Sequence, residues 1–344
     1  MHHRLSAKKL IALLIPLACL SLIFGIGIGP VFVPPMTVLK MLLSKLPFVG
    51  GRIVPDWTDT QALVILSARL PRVLLGFVVG AALAYGGTSM QSLVKNELAD
   101  PYILGIAYGA ASFASIGIVM GFFANMGIYQ NAVNGCIGAL LTTGFIFMYS
   151  LQKGRMNISQ LLLGGIAISM FFRAVIRILS LSYPQLMLHS NQSFWTQGGL
   201  AGARWAHLGW PLLIVLGCIL FLNAQHRTLN AMLLGDETAM TLGINVPFMQ
   251  KLMTTVTSIL IGVTVSLSGG IGFIGLCAPH VARMLVGGDH RRVFPVSALL
   301  GGLFLLWCDA LARMLFAPEE LPVGIITAIV GGPFFIWLLK RRRY

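Results

Sequence analysis

The sequence predicts an all-α polytopic membrane protein with about ten transmembrane helices. Its 344 residues have a mean hydropathy of +0.86, and only 10% of them are charged. A soluble domain needs far more charged residues than this to cover its surface. Apolar runs of about 18 residues or more, the length of helix that crosses the hydrocarbon core of a bilayer, recur along the whole chain. These features exclude a soluble enzyme or a soluble binding protein.

The predicted spans follow one another with no soluble domain between them. The first follows a basic segment, as the core of a signal peptide does, but its apolar run is longer than the roughly 7 to 15 residues of such a core. We therefore expect a retained first span. The ten spans are predicted at about residues 10 to 29, 63 to 90, 101 to 122, 131 to 151, 157 to 180, 207 to 224, 248 to 268, 272 to 286, 295 to 314 and 323 to 340.

Three intervals between spans have the polar, glycine-rich and proline-rich character of outer loops. They are predicted at about 30 to 62, 181 to 206 and 315 to 322. The span at 272 to 286 is short, contains Pro279 and follows the segment SGGIGFIG. Proline and glycine together favour a bent or broken helix there, and interrupted helices at membrane depth usually line a cavity.

The net charge of +14 follows the predicted topology. Fifteen of the 24 lysines and arginines lie on one side, which the positive-inside rule assigns to the cytoplasm. Both termini are then cytoplasmic, and the basic tail KRRRY is expected to anchor the topology and not to bind nucleic acid. The fifteen are Arg4, Lys8, Lys9, Lys95, Lys153, Arg155, Arg227, Lys251, Arg283, Arg291, Arg292, Lys340, Arg341, Arg342 and Arg343.

Neither a catalytic set nor a cofactor site is evident in the sequence. The five cysteines lie inside apolar runs without a paired spacing, so they predict neither a disulfide framework nor a metal site. The seven histidines form no ligand set, and the membrane spans hold no Ser/His/Asp set or carboxylate pair. We therefore expect no catalysis and no cofactor bound by this chain.

A compact polar segment, LLGDETAMTLGINV at residues 233 to 246, interrupts the apolar spans. Asp236 can cap a helix over residues 237 to 242, and Gly243 can end it. Asn245 can then cap a second helix, so that two small helices would lie across the inner membrane face.

The apolar residues of this segment suggest what it could contact. Ala239, Met240 and Leu242 cannot all be buried by so short a helix alone. A docking surface for a cytoplasmic partner explains the pattern, and an ordinary connecting loop explains it equally well.

The segment LGDETAMTLGIN resembles the coupling segment of FecCD-type permeases, which are the membrane subunits of ABC importers for iron-siderophores, haem and cobalamin. The resemblance extends over nearly the whole chain. Three further blocks carry it: RLPRVLLGFVVGAALAYGGTSMQSLVKNELADPYILGIAYGA at 69 to 110, GGIGFIGLCAPHVARMLVGGDHR at 269 to 291 and DALARMLFAPEELPVGIITAIVGGPFFIWLL at 309 to 339.

The resemblance implies a single transmembrane permease domain over residues 1 to 344, similar to the cobalamin permeases and paired with itself as a homodimer. It implies two cytoplasmic ABC ATPase subunits, a periplasmic or lipid-anchored substrate-binding protein, and location in a bacterial inner membrane. The chain has no GxxxxGK[ST] loop, so ATP and Mg would be bound by the partner ATPase and not by this chain. The coupling helices would lie at 232 to 247, with the contacting residues Gly235, Asp236, Glu237, Ala239, Leu242 and Gly243.

The resemblance also implies where the binding protein docks. Arginines at the positions of Arg69, Arg72 and Arg313 receive acidic residues of the binding protein in the similar cobalamin permeases. From the residues alone, these arginines could instead snorkel to the interface, or Arg313 could pair with Asp309 at a spacing of four residues.

The stretch KNELADP resembles the segment that helps to close the cytoplasmic end of the pathway in the family. This assigns a cytoplasmic gate to Asn96 and Leu98. The family pattern usually has proline where this chain has Glu97, which leaves the local backbone open. Asn96 could also be only the cap of the next helix.

Arg173 and Arg177 are four residues apart, so they share one face of the fifth span. Intramembrane arginines usually face the bundle interior or a wet cavity. Our hypothesis is that this pair lines the substrate pathway and attracts an anionic cargo, such as a ferric chelate or the propionates of haem. Packing against helix-end carbonyls or outward snorkelling of Arg177 is the alternative.

A secondary transporter coupled to ions or protons is the second candidate function. Such a protein needs acidic residues inside the membrane to carry the coupling ion. Of the ten acids, only Asp309 is predicted to lie deep, and Glu97 lies near a helix end. This distribution favours the ATP-driven importer.

Overall fold

The computed structural model describes residues 6–47, 51, 53–102, 104–152, 155–156, 158–185, 197–317 and 319–341. Arg4, Lys153, Arg342 and Arg343 of the basic set lie outside these residues, as do residues 186–196 of the predicted outer loop at 181 to 206. Apart from one two-residue antiparallel ladder, in which β1 (Leu151–Gln152) pairs with β2 (Arg155–Met156), the described regular structure is helical. The predicted all-α fold is confirmed.

The helices are numbered here in chain order. A π-helical segment, Val64–Arg69, joins α3 to α4 without a break. The helices are α1 (Ala7–Gly27), α2 (Pro35–Ser44), α3 (Asp59–Leu63), α4 (Leu70–Leu93), α5 (Ile106–Met120), α6 (Gln130–Ser150), α7 (Ile158–Ser182), α8 (Trp210–Ala224), α9 (His226–Leu233), α10 (Asp236–Thr241), α11 (Val246–Ser268), α12 (Ile274–Val286), α13 (His290–Met314) and α14 (Val323–Arg341).

Each of the ten predicted spans coincides with a helix, within five residues at either end. Six described helical segments are long and apolar enough to cross a membrane, and α8 with α9 forms a seventh if this pair, bent by 53°, is one span. The remaining three predicted spans, α5, α12 and the apolar part of α14, are shorter apolar helices. The number of ten spans therefore stays a prediction.

The predicted outer loop at 30 to 62 contains two helices, and the prediction of an irregular loop there was wrong. α2 begins with Pro35, whose fixed backbone angle suits the first turn of a helix. α3 begins with a capping box: the Thr58 hydroxyl accepts from the Gln61 amide, and the Gln61 side chain accepts from the Thr58 amide. These local signals were present in the sequence and were missed.

The predicted interruption before residue 286 is present, but proline does not cause it. α11 ends at Ser268, with Gly269 as its cap, and α12 begins only after Phe273, which has a left-handed φ of 70°. Pro279 lies inside an unbroken α12. With 13 residues, α12 is about 20 Å long and shorter than the hydrocarbon core. The glycine-rich segment before α12 would have to cover the remaining thickness of the hydrocarbon core.

The interior of the bundle is built on α4, which packs against α11, α12 and α13. Glycines permit this close approach. A methyl group on Gly80 would lie 2.3 Å from the carbonyl oxygen of Gly301, and one on Gly87 would lie 1.9 Å from that of Gly275. Backbone-to-backbone contact of this kind is typical of helices packed inside membranes. α7 is the least buried of the six long spans.

Gly87→Ala should destabilise the protein by about 1 to 3 kcal/mol, because the added methyl group must push α4 away from the backbone of α12. Gly217→Ala is the matched control, since a methyl group at this position in α8 meets nothing within 4 Å. The stability of both variants is measured as the midpoint of thermal unfolding in detergent. Equal midpoints for the two variants would contradict the close α4–α12 contact.

Candidate functional site

Three buried arginines and one buried aspartate form a charge cluster where α4 begins and α13 ends, at the end of the bundle predicted to face outward. The Arg72 guanidinium donates to both carboxylate oxygens of Asp309 at 2.9 to 3.2 Å, and to Glu320 at 2.7 Å. Arg313 lies 3.1 Å from the same Asp309 carboxylate. Asp309 therefore lies between two guanidinium groups, an arrangement that stabilises its charge in a low-dielectric environment.

The third arginine, Arg69, and Arg313 bind the end of α1. A helix end leaves carbonyl groups without partners and carries a partial negative charge, which arginine donors satisfy. These contacts fasten the end of α1 to both α4 and α13. Arg69 donates to the carbonyl oxygens of Ile26, Gly27 and Val31 at 2.7 to 3.3 Å, and Arg313 donates to those of Gly25 and Ile28 at 2.9 and 2.7 Å.

The charge cluster contains all three arginines that were predicted to dock a binding protein. Arg69, Arg72 and Arg313 are at most 8% exposed. The alternative of an internal pair between Asp309 and Arg313 is confirmed. Docking of a binding protein onto these arginines stays a prediction, and it would require the cluster to open or its exposed rim, such as Glu320, to make the contact.

At the opposite end of the bundle, α10 forms the predicted coupling segment. Gly235, and not Asp236, precedes the helix as its cap, so Asp236 is the first helical residue and the predicted cap was wrong. Gly243 ends the helix with a left-handed φ of 80° and a Schellman pair of hydrogen bonds. Asn245 caps the next helix through the Phe248 amide, as predicted. That helix is the long span α11 and not a second small helix.

The surface of this segment is apolar. Ala239 is buried, but several large apolar side chains of this segment and of its flanks are exposed. Exposed clusters of this kind mark sites of interaction with other molecules. We call this cluster the coupling surface; it consists of Leu233, Leu234, Met240, Leu242 and Phe248.

An ion pair connects α10 to the end of α4. Lys95 donates to the Asp236 carboxylate at 2.7 Å. α4 ends in a Schellman motif, in which the Lys95 amide donates to the Ser92 carbonyl and the Asn96 amide to the Gln91 carbonyl. Lys95 itself adopts the left-handed conformation, with φ of 52°, that glycine normally occupies there. The ion pair thus holds a strained residue immediately before the predicted gate.

The predicted gate residues follow this turn. The Asn96 side chain accepts a hydrogen bond from the Leu98 amide at 2.9 Å and closes a local turn. Glu97, at the position where the family usually has proline, reaches α12, with His280 at 3.5 Å and Arg283 at 3.9 Å. Glu97 therefore attaches the segment to the short helix α12 by charge.

Asn96 does not cap the next helix, since α5 is preceded by Gly105. The alternative in which Asn96 is only a helix cap is therefore wrong. The gate role of Asn96 and Leu98 remains a prediction.

A polar network joins α9, α4 and α13 beside the gate. The Asn230 side chain donates to Asp289 at 2.8 Å and accepts from the backbone amide and ring Nδ1 of His290 at 2.9 and 2.6 Å. The other ring nitrogen of His290 bonds to the Ser92 hydroxyl. Partial burial raises the pKa of the Asp289 carboxyl, but the hydrogen bonds from Asn230 and the Arg291 amide outweigh it and lower the pKa overall.

Arg173 and Arg177 line one cavity of about 260 Å³. The Arg173 guanidinium lies 5.4 Å from the centre of the Tyr108 ring, which is a cation–π distance. Gln197 and Gly270 lie in the same cavity, so it borders the interrupted segment between α11 and α12. The structure thus brings together two features that the sequence analysis treated separately.

Asp100 is a second buried acid, although the sequence analysis predicted that only Asp309 lies deep. It is 4% exposed, and it accepts from the Tyr102 amide at 2.7 Å. The α12 backbone packs over it, because a methyl group on Gly275 would lie 3.3 Å from its carboxylate. The sequence ADP is typical of a turn, and nothing in this short motif indicates that another helix covers the turn. In the part of the chain that the structure describes, no three His, Cys, Asp or Glu side chains form a metal-binding group.

Comparisons with known proteins agree with this architecture. The hemin transport system permease protein HmuU of Yersinia pestis is 45% identical over 256 residues, which cover 74% of this chain and 76% of the relative. The cobalamin import system permease protein BtuC of Halobacterium salinarum is 37% identical over 253 residues, covering 74% of this chain and 67% of the relative. A solved inward-facing ABC transporter assigned to the metal-chelate type superposes with a TM-score of 0.80 at 28% identity, covering 97% of this chain and 99% of that one.

The long apolar helices define a multi-pass membrane protein. The chain belongs to the FecCD transport family, which matches residues 16–341.

Asp309→Asn should destabilise the protein by about 3 to 5 kcal/mol, because it leaves the buried Arg313 without a carboxylate partner and Arg72 with Glu320 alone. The control is Glu320→Gln, since the Glu320 side chain is 29% exposed and serves only Arg72; its effect should be about 1 kcal/mol or less. The midpoints of thermal unfolding in detergent are compared for Asp309→Asn and Glu320→Gln. If Asp309→Asn is no less stable than Glu320→Gln, the cluster does not hold the outer end together.

Proposed function

We propose that this chain is the membrane-spanning permease subunit of an ATP-driven importer. It passes a metal chelate from a substrate-binding protein into the cytoplasm. The observation that carries the proposal is the exposed coupling surface on a chain of the FecCD transport family. The chain itself is not the ATPase; ATP and Mg bind to the partner.

Two cytoplasmic ATPase subunits bind the coupling helices at 232 to 247. Met240 and Leu242 supply exposed apolar contacts, while Gly235 and Gly243 set the ends of α10 through backbone angles that other residues rarely adopt. Glu237 lies in the first turn of α10 beside Asp236.

Movement of α10 reaches the gate through the Lys95–Asp236 pair. The pair joins α10 to the turn that precedes Asn96, and Glu97 then joins this segment to α12. A shift of α10 therefore biases the position of Asn96 and Leu98. Alternating access requires such contacts to differ between the outward-open and inward-open states.

An ion-coupled secondary transporter is less well supported. Asp309 is buried, and its carboxylate is fixed by ion pairs with two arginines, Arg72 and Arg313. A coupling carboxylate must exchange its proton or ion during each cycle. This acid is suited to a permanent structural contact.

The cargo is proposed to be a chelate with anionic groups, drawn from haem, iron-siderophores and cobalamin-like compounds. Haem fits the cavity chemistry best, since its two propionates can each accept charge-assisted hydrogen bonds from a guanidinium group. Arg173 and Arg177 are both exposed in the cavity that they line. HmuU, the most identical of the relatives described above, is a hemin permease protein.

The proposed assembly is a homodimer in the bacterial inner membrane, with both termini in the cytoplasm and a periplasmic or lipid-anchored binding protein on the outer face. The outer arginines Arg69, Arg72 and Arg313 are the proposed region of contact with that protein. The charge bias of the chain supports the orientation.

Replacing Arg173 and Arg177 by glutamine should lower ATP-dependent haem uptake roughly tenfold, because a charge-assisted hydrogen bond contributes about 1.5 to 3 kcal/mol. Uptake is measured in liposomes that hold the permease with its ATPase and binding protein, with haem, a ferric chelate and cobalamin compared. The Arg173→Lys, Arg177→Lys variant keeps both charges and should retain most uptake, and basal ATP hydrolysis should not change in either. Unchanged haem uptake in the glutamine variant would refute the pathway role.

Uptake driven by an ion gradient in liposomes that lack the ATPase would refute the proposal that the protein is part of an ATP-driven importer.

Lys95→Asp and Asp236→Lys should each lower uptake about fivefold, and the double variant should recover it, since reversal of both charges restores the pair. Aspartate tolerates the left-handed conformation at position 95. Unfolding midpoints should change little, because an exposed ion pair contributes about 1 kcal/mol or less. Lys40→Asp breaks another exposed pair, with Asp56, and should leave uptake unchanged. Absence of recovery in the double variant would show that the pair does not transmit movement.

A further inference from the structure

A groove lies between α6 and α11, separate from the arginine-lined cavity. Its volume is about 460 Å³. α11 begins on the proposed cytoplasmic side and α6 ends there, so the groove occupies the half of the bundle nearest the cytoplasm. Its walls are apolar side chains such as Leu140, Phe147 and Met148, together with the polar residues Gln250, Lys251 and Thr254.

The groove exists because the two helices are in close contact only toward the outer side. There, a methyl group on Gly262 would lie 2.8 Å from Ala139, so the backbones almost touch. The last polar contact between the helices is the hydrogen bond from the Ser258 hydroxyl to Thr143, at 2.8 Å. One residue further along α6, Gly144 lines the groove, and a methyl group there would meet nothing within 4 Å. The helices therefore enclose open space from this level toward the cytoplasm.

Two polar groups in the groove have no partner of their own. Thr254 is 4% exposed, and its buried hydroxyl makes no hydrogen bond within the described residues. A buried hydroxyl without a partner costs roughly 1 to 3 kcal/mol, and a ligand atom in the groove would remove this cost. Lys251 is exposed, and no acidic side chain of the described residues lies within 4.0 Å of it.

The depth of Lys251 suits a lipid headgroup. It is the sixth residue of α11, so it lies about 8 Å along the helix from its cytoplasmic end. The headgroup layer is about 5 to 7 Å thick on each side, so Lys251 lies near the boundary between headgroups and hydrocarbon. A lysine there can extend its ammonium group toward a phosphate.

We propose that the groove binds one anionic phospholipid of the cytoplasmic leaflet. An acyl chain packs along Leu140, Phe147 and Met148, and the phosphate pairs with Lys251. The polar backbone of the lipid, which carries ester oxygens, lies beside Thr254 and accepts its hydroxyl hydrogen. Basic pockets between transmembrane helices on the cytoplasmic side bind anionic lipid headgroups in this way. Because α11 begins directly after the coupling segment, the lipid stabilises the helix that follows α10.

The test uses the full-length protein, extracted from bacterial membranes into mild detergent and examined by native mass spectrometry. Delipidated protein is titrated with phosphatidylglycerol, with phosphatidylethanolamine of the same acyl chains, and with glycerol phosphate. Wild-type protein should bind phosphatidylglycerol most tightly and glycerol phosphate weakly. Lys251→Gln should weaken phosphatidylglycerol binding about fivefold and leave phosphatidylethanolamine binding unchanged, since one lipid-facing charge is removed.

Gly144→Trp should fill the groove and weaken the binding of both lipids. The matched controls are Lys9→Gln, another exposed lysine of the cytoplasmic side, and Gly217→Trp, a glycine of α8 with equally open surroundings; both should bind lipid as the wild type does. The proposal is overturned if Lys251→Gln binds phosphatidylglycerol normally, or if glycerol phosphate binds as tightly as the lipid. It is also overturned if Gly144→Trp abolishes a dimer mass while lipid retention is unchanged, which would assign the groove to a second copy of the chain. If Gly144→Trp does not fold, the Lys251→Gln comparison decides alone.

Discussion

The buried ion pairs of Asp309 organise the outer end of this protein. A carboxylate inside a membrane protein is tolerated only when cationic donors surround it, and here Arg72 and Arg313 do so from two different helices. The same arginine, Arg313, and Arg69 also satisfy the carbonyl groups at the end of α1. Three helices are thus joined by one group of charges.

α4 connects the charge cluster to the opposite end of the helix bundle. It begins beside the charge cluster and continues for 24 residues, about 36 Å, to the turn at Lys95. Along this path, glycines bring its backbone against those of α12 and α13. A helix held at one end by ion pairs and along its length by backbone contact moves as a rigid body. This rigidity explains why a contact with α10 at its far end is suited to controlling the segment that follows.

The parts proposed to move are the ones with fewer tight contacts. The segment after Lys95 is held by local turns and by the longer charge contacts of Glu97, and α12 is too short to span the membrane by itself. The arginine-lined cavity borders the glycine-rich link that precedes α12. Movement of α12 and its link would therefore change the cavity and the cytoplasmic segment together. The proposed lipid groove lies between α6 and α11, separate from the arginine-lined cavity, and a lipid bound there would affect the helix that follows α10.

The membrane class, the family and the positions of the ten predicted spans could be read from the sequence, whereas the short apolar helix α2 was missed. Hydropathy, charge bias and motif order are properties of consecutive residues, so they can be read without knowing which helices touch. It also predicted that Gly243 ends α10 and that Asn245 caps α11, because capping depends on neighbours a few residues away. The Thr58 capping box was equally local and could have been recognised.

The pairing of the charged residues could not be predicted from the sequence and depends on how the helices pack. Arg72 and Asp309 are 237 residues apart, so their pairing depends on the packing of α4 against α13 and not on any local pattern. The same holds for Lys95 with Asp236, for the burial of Asp100 under α12, and for the space beside Gly144. A charged residue in a sequence shows that a partner is needed in the membrane. Which partner it finds is decided by helix packing, because the energy of burying a charge depends on what lies within a few ångströms of it.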